Sequence, residues 1–190
     1  MIRSLALLSF AVALLAGAGP AQAQYDSRDI MGGGPNFFSP GGSSPIPRTT
    51  VNFSSEYAPG TIIVNTAERR LYLVLSNGQA LRYGIGVGRD GFRWGGIHRI
   101  SAKKEWPGWT PPSQMLARRP DLPRHMPGGI DNPLGARAMY LGSTLYRIHG
   151  SNEPETIGQA VSSGCFLMTN EDVQDLYDRV PVGTTVVVKN

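Results

Sequence analysis

Cysteine is almost absent from this 190-residue chain, and the single one, Cys165, has no partner with which to form an internal disulfide. Histidine is nearly as scarce: His98, His125 and His149 are the only three. Their spacing with Cys165 matches no zinc pattern and further thiolates are lacking, so neither a metal nor any other cofactor is expected. Long apolar runs are missing too. The longest, within residues 5–16, falls short of the roughly 20 residues that span a bilayer. Charge is nearly balanced, with 18 Lys and Arg against 14 Asp and Glu giving +4. That is too small a balance to point to nucleic acid, and basic and aromatic residues do not interleave as a nucleic-acid surface requires. No internal repeat is present.

The beginning of the chain reads as an export signal. Arg3 supplies a positive end, residues 5–16 an apolar stretch, and Ala21-Gln22-Ala23 a small-residue cleavage site. Residues 1–23 are expected to be removed, leaving a soluble periplasmic chain that starts near Gln24 and has no stable membrane insertion. The residue directly after the cleavage site is Gln24 and not cysteine, so attachment as a bacterial lipoprotein is not expected. Loss of Arg3 leaves 17 basic residues against 14 acidic, or +3. This suits an anionic polymer as partner and equally a plain solubility role. Residues 24–50, with GGGPNFFSPGGSSPIPR at their centre, bury little apolar surface and are expected to form a disordered linker. Phe37-Phe38 is the one pair in it suited to docking on the domain. An unpaired thiol in an oxidising compartment is either reactive or a partner for another chain.

From Val51 the pattern changes to β-branched and apolar runs broken by turn signals. Strands are expected at 61–65, 70–75 and 80–87, the last two joined by a hairpin turn at Ser76-Asn77-Gly78. These three open an antiparallel, mainly β domain over residues 51–190, with another strand at 97–104. The prolines of WPGWTPP exclude an interior strand. A short helix is expected at 113–118, with Ser113 as its N-cap, and Trp106 and Trp109 are read as packing residues, with lining of a cleft as the alternative. Arg118, Arg119 and Arg124 cluster with His125, either to contact substrate carboxylates or as a solvated loop. Paired strands at 138–141 and 144–149 deliver His149 at the end of the second. Residues 155–160 read as a helical turn with Ile157 and Val161 inward, Asn170 as the cap of a helix at 171–179, and 184–189 as a final strand.

The chemistry concentrates in residues 148–170, IHGSNEPETIGQAVSSGCFLMTN. His149 and Cys165 each adjoin a glycine, where a missing Cβ lets backbone approach a ligand. A thiol nucleophile needs a base to take its proton, which imidazole does near neutral pH, and an acyl oxyanion needs N–H donors. Cys165 is thus a candidate nucleophile and His149 its candidate base. The alternative, that a lone cysteine is a small buried hydrophobe, stays open on this reading.

The same stretch resembles the signature of the L,D-transpeptidase catalytic domain (YkuD-like) family, in which HG[TS]N is followed by [ST]HGC[IV]RM. RRLYLV at 69–74, YGIGVGR at 83–89, GGIDNPLGARAMYLG at 128–142 and the ending NEDVQDLYDRVPVGTTVVV match further family segments in order. The resemblance implies an antiparallel β-sandwich or barrel-like catalytic domain with a few short helices. It implies Cys165 as nucleophile, His149 as base, and a carbonyl of Gly150 or Ser151 as the group that orients the base. The oxyanion site falls near the N–H groups of Gly164 and Cys165, with Ser163 at its edge. Substrate contacts are implied at Ser151, Asn152, Leu167 and Arg137, while Glu153 and Glu155 read as loop surface. Three places depart from the pattern: Ser163 replaces the usual second histidine, Leu167 the usual arginine, and the segment 91–96 the usual Thr-Pro-x-Gly turn. The implied activity is acyl transfer on peptidoglycan tetrapeptide stems, with another stem, an envelope protein or a D-amino acid as acceptor. A hydrolase using the same thiol and a catalytically weakened cell-wall-binding homologue are the alternatives.

Overall fold

Strands whose apolar residues mostly face inward, tied by tight turns, carry almost all of the architecture. The computed structural model describes residues 44–190; the expected signal segment and residues 24–43 of the expected linker, Phe37-Phe38 included, lie outside the described residues. The strands are β1 (Thr49–Asn52), β2 (Ile62–Asn65), β3 (Arg70–Val74), β4 (Gln79–Gly84), β5 (Val87–Gly88), β6 (Gly96–Glu105), β7 (Arg137–Leu141), β8 (Arg147–His149), β9 (Ala160–Ser162), β10 (Phe166–Leu167) and β11 (Thr185–Lys189). Two helices, α1 (Ser113–Arg118) and α2 (Asn170–Arg179), and a 3₁₀ turn at Pro154–Thr156 complete the described part.

The β3–β4 hairpin turns where expected. Asn77 and Gly78 have φ of 62° and 70°, the two left-handed residues that a type I′ turn requires. Nine strands then join in the order β1-β4-β3-β2-β11-β6-β7-β8-β10, and β5 pairs with β9 in a small second sheet. The fold is mainly β and most pairs are antiparallel. Three are parallel: β2 with β11, β8 with β10, and β5 with β9. Each joins strands far apart in sequence, so no hairpin constrains their direction.

The main core cluster is built from both sheets and α2, with smaller clusters around Trp109 and around Ile63. Ile62, Leu71, Tyr83, Ile100, Met139, Ile148, Phe166 and Met168 are buried in it together with Val173 and Leu176 of α2. Burying an aliphatic or phenyl side chain of this kind is worth about 1.5–3 kcal/mol. Those anchors fix the backbone from which the polar cleft residues project.

Both expected helix caps differ from the structure. Pro112, not Ser113, holds the capping position of α1 and offers no side-chain bond. Thr169 caps α2, its hydroxyl accepting from the Asp172 N–H at 3.2 Å. The Asn170 side chain is instead spent on a tertiary contact, accepting from the Ala136 N–H at 2.8 Å and tying α2 to the loop before β7. At the other end of α2, Lys103 Nζ donates to the carbonyls of Tyr177 and Val180 at 2.6 and 2.7 Å, satisfying acceptors that the helix leaves open.

The described fold begins before residue 51. β1 starts at Thr49, pairing with β4, and Ile46 packs against Gly84 and Gly158. Arg48 makes ion pairs with Asp172 at 3.4 Å and Asp175 at 3.2 Å. Composition hid this, because one isoleucine and one arginine among prolines and serines carry the attachment. The strand expected at 144–149 shortens to β8. The Thr144 hydroxyl bonds the Leu141 carbonyl at 2.6 Å and receives the Tyr146 N–H at 3.1 Å, which makes residues 141–146 a turn.

Candidate active site

Strand register assembles the site. β8 and β10 run parallel with Ile148 beside Phe166 and His149 beside Leu167, which leaves Cys165 alongside Arg147. Successive strand residues face opposite sides. Ile148 and Phe166, 0% and 1% exposed, point into the core. Arg147, His149, Cys165 and Leu167 all line a cleft of about 290 Å³ on the other side. Phe92, Trp109, Met115, Leu134, Leu145 and Tyr146 supply much of its apolar wall, and Ser151, Asn152, Glu153, Ser162 and Ser163 its polar part.

His149 is buried, and its Nδ1 lies 2.6 Å from the Gly150 carbonyl oxygen. A carbonyl only accepts, so Nδ1 carries the proton and Nε2 is the basic nitrogen. Burial pushes the imidazole pKa from 6.5 down to about 4; the Gly150 bond works against that shift, and the Arg147 charge adds to it. Burial likewise pushes the Cys165 thiol up, while the Arg147 charge and its hydrogen-bond donors pull it down. Neutral imidazole beside protonated thiol is therefore the resting state at neutral pH. No direct hydrogen bond joins His149 to Cys165 among the described residues. The pair suits proton transfer during attack rather than a preformed thiolate–imidazolium pair.

The turn that carries Cys165 is framed on three sides. Trp94 Nε1 donates to the Gly164 carbonyl at 2.7 Å, and the indole stacks on Tyr146 with ring centres 4.5 Å apart. Gly164 has φ of +110°, and a Cβ there would lie 2.5 Å from a Tyr146 ring carbon. Gly86 exchanges both backbone bonds with Leu167, each at 2.9 Å. A Cβ on Gly88 would come within 3.3 Å of the Gly164 Cα, so the glycines of YGIGVGR let this segment lie against the nucleophile turn. The Gly164 N–H donates to Ser162 Oγ at 3.2 Å, and Ser162 Oγ donates to the Cys165 carbonyl at 2.6 Å. That leaves the Cys165 N–H, bonded to nothing among the described residues, as the candidate oxyanion donor of this turn.

The other expected site residues divide. Ser163, Ser151, Asn152 and Leu167 line the cleft with His149 and Cys165. Of the two carbonyls considered for orienting the base, it is Gly150 that holds His149. Ser151 is buried, and its hydroxyl accepts from the Glu153 N–H at 2.9 Å. Arg137 does not reach the cleft. It pairs with Glu105 at 3.3 Å and lies over the Tyr177 ring at 5.3 Å, because its side of β7 faces α2. Glu153, expected on the surface, is buried and lines the cleft, drawn in by the turn its carbonyl closes with Thr156. Trp109 both packs with Leu122 and Leu134 and lines the cleft, whereas Trp106 is exposed. Arg119 is spent on Asp121, and His125 on Thr110 at 3.1 Å, so neither serves the cleft. Sequence reading missed Arg147 and Trp94. The alternation in YRIHG, which puts Arg147 on the face of His149, was the signal for the first; nothing local announced the second.

Comparison with known proteins shows the family. The L,D-transpeptidase catalytic domain family YkuD matches residues 59–188. The probable L,D-transpeptidase ErfK/SrfK of Escherichia coli K12 is 39% identical over 136 residues, covering 67% of this chain and 43% of that protein. The chain thus spans less than half the length of this curated relative. A Brucella melitensis crystal structure, described as a probable carnitine operon oxidoreductase, is 48% identical with a TM-score of 0.53, covering 77% of this chain and 96% of its own. The catalytic domain of the Enterococcus faecium L,D-transpeptidase has a TM-score of 0.54 at 20% identity, covering 71% of this chain and all of that domain, a likeness of fold. The matched residues take in both the β8 histidine and the cysteine turn, and the chain belongs to the YkuD family of L,D-transpeptidase catalytic domains.

Proposed function

We propose that this protein is an exported cysteine L,D-transpeptidase acting on peptidoglycan tetrapeptide stems in the periplasm. In this reading residues 1–23 are a cleaved signal, residues 24–43 a tether, and the domain begins near Ser44. The observation that carries it is the placing of Cys165 and His149 on one face of paired strands, with Nδ1 held by Gly150 so that Nε2 is left basic. Cys165 Sγ attacks the carbonyl of the third stem residue as His149 Nε2 takes its proton. The oxyanion forms near the Cys165 N–H. Collapse of the tetrahedral intermediate breaks the peptide bond. His149 returns the proton to the leaving D-alanine amine, and a thioester remains. An amine then attacks that thioester with His149 again as base, forming the new amide and restoring the thiol. The Brucella relative is described as an oxidoreductase; a thiol, a neutral imidazole and a guanidinium in one cleft are groups suited to acyl transfer.

Incubation with a carbapenem should add one inhibitor mass to the protein, and Cys165→Ala should abolish that adduct with little change in thermal midpoint. Tetrapeptide stems with an amine acceptor should yield a new amide product. Free tripeptide as the sole product would replace the transferase by the hydrolase. Adduct formation by Cys165→Ala, or its unfolding, would make the cysteine structural.

A further inference from the structure

The signature has its arginine two residues after the nucleophile, where this chain has Leu167. A guanidinium is nevertheless present at the reacting end of the cleft, on the neighbouring strand. Arg147 stands alongside Cys165 in the β8–β10 register and is the only lysine or arginine lining the cleft among the described residues. Tyr140, its partner on β7, lies under it with the guanidinium carbon 5.2 Å from the ring centre. That contact supports the side chain from behind and uses none of its N–H donors. Arg147 Nε is buried and has no hydrogen-bond partner, Arg147 makes no ion pair among the described residues, and its other donors act on Cys165. Leaving that buried N–H unpaired is costly unless something binds it. Planar N–H forks match a carboxylate with two parallel bonds.

We propose that Arg147 is the carboxylate-binding residue of the cleft, holding a carboxylate of the bound peptide close to Cys165 Sγ. The proposal rests on the acyl-transfer reading for its ligand, a peptide whose carboxylate lies within one residue of the scissile carbonyl. Such a peptide has two sources of that group: the terminal carboxylate of the leaving residue and a side-chain carboxylate on the third residue. Arg147 thus supplies from β8 the charge that the signature places on β10, which explains how Leu167 is tolerated.

Binding separates this from the chemistry. Titration calorimetry on the Cys165→Ala protein compares a tetrapeptide carrying both carboxylates with versions amidated at the terminus or at the third side chain. One amide should bind about 10- to 100-fold more weakly than the free acid, the value of one charge-assisted pair, and which one identifies the source. Adding Arg147→Leu should weaken the free acid by a similar factor and leave that amide unchanged, while Arg147→Lys should recover part of the loss. Equal affinity of the free acid and both amides would overturn the proposal without any substitution at Arg147. So would an Arg147→Leu loss of the same size on acid and amide, which marks a structural role. Adduct formation by the protein with Cys165 intact reports on the acyl-transfer reading by itself, so failure there is distinguishable from failure here.

Discussion

The buried histidine makes stability depend on pH in a window where few other groups titrate. His149 has its pKa lowered from 6.5 to about 4, chiefly because burial disfavours the imidazolium. The unfolded chain therefore binds a proton near pH 6.5 that the folded chain refuses until about pH 4. Stability is fully present above 6.5, falls as the pH drops below it, and the loss is complete near 4. The full difference corresponds to about 3 kcal/mol, of which roughly 2 kcal/mol is lost by pH 5. His149→Asn keeps a donor for the Gly150 carbonyl and removes the titration. Urea unfolding of both proteins at pH 7.5 and pH 5 should show the parent losing about 2 kcal/mol more than the variant over that interval. Carboxylates titrating at the lower end are common to both proteins and cancel. In the proposed reaction the same shift governs acylation. With the base neutral and the thiol protonated, the acylation rate should stay flat from about pH 5 to 8 instead of rising through 6.5. Equal pH dependence of stability in the two proteins, with an acylation inflection near 6.5, would refute a neutral buried imidazole.

Three further outcomes follow from the packing. Trp94→Phe keeps the stack on Tyr146 but removes the N–H bonded to Gly164, and should cost about 0.5–1.5 kcal/mol in urea unfolding, with carbapenem acylation falling by up to about tenfold. Gly164→Ala combines a φ of +110° with a clash against a Tyr146 ring that Trp94 holds in place. It should lose about 1–3 kcal/mol and most of its acylation rate, and parent-like kinetics would show that the turn is not conformationally constrained. Arg48→Ala leaves buried Asp172 without its cation, while Asp175 keeps Arg179, and should lower stability by about 1–3 kcal/mol with acylation unchanged; no change in midpoint would show the segment before β1 to be a passive tether.

The sequence by itself determined the family, the mainly β architecture and the two candidate reacting side chains. His149 and Cys165 were legible because a scarce nucleophile and a scarce base each sit next to glycine inside a recognisable signature. The Asn77-Gly78 turn was legible because its backbone conformation is a local property of those two residues. Tertiary structure decided what depends on pairing and depth. Three strand pairs are parallel because distant segments meet without a hairpin to set their direction. The Ser44–Arg48 segment joins the domain through one side chain packed on two glycines and one ion-pair network, too little to alter its composition. Arg137 looked available and is turned toward α2, while Arg147 went unmarked and is brought alongside Cys165. Residue type supplies the chemistry, but which face of the sheet an arginine reaches is set by the register between strands and by what covers each side.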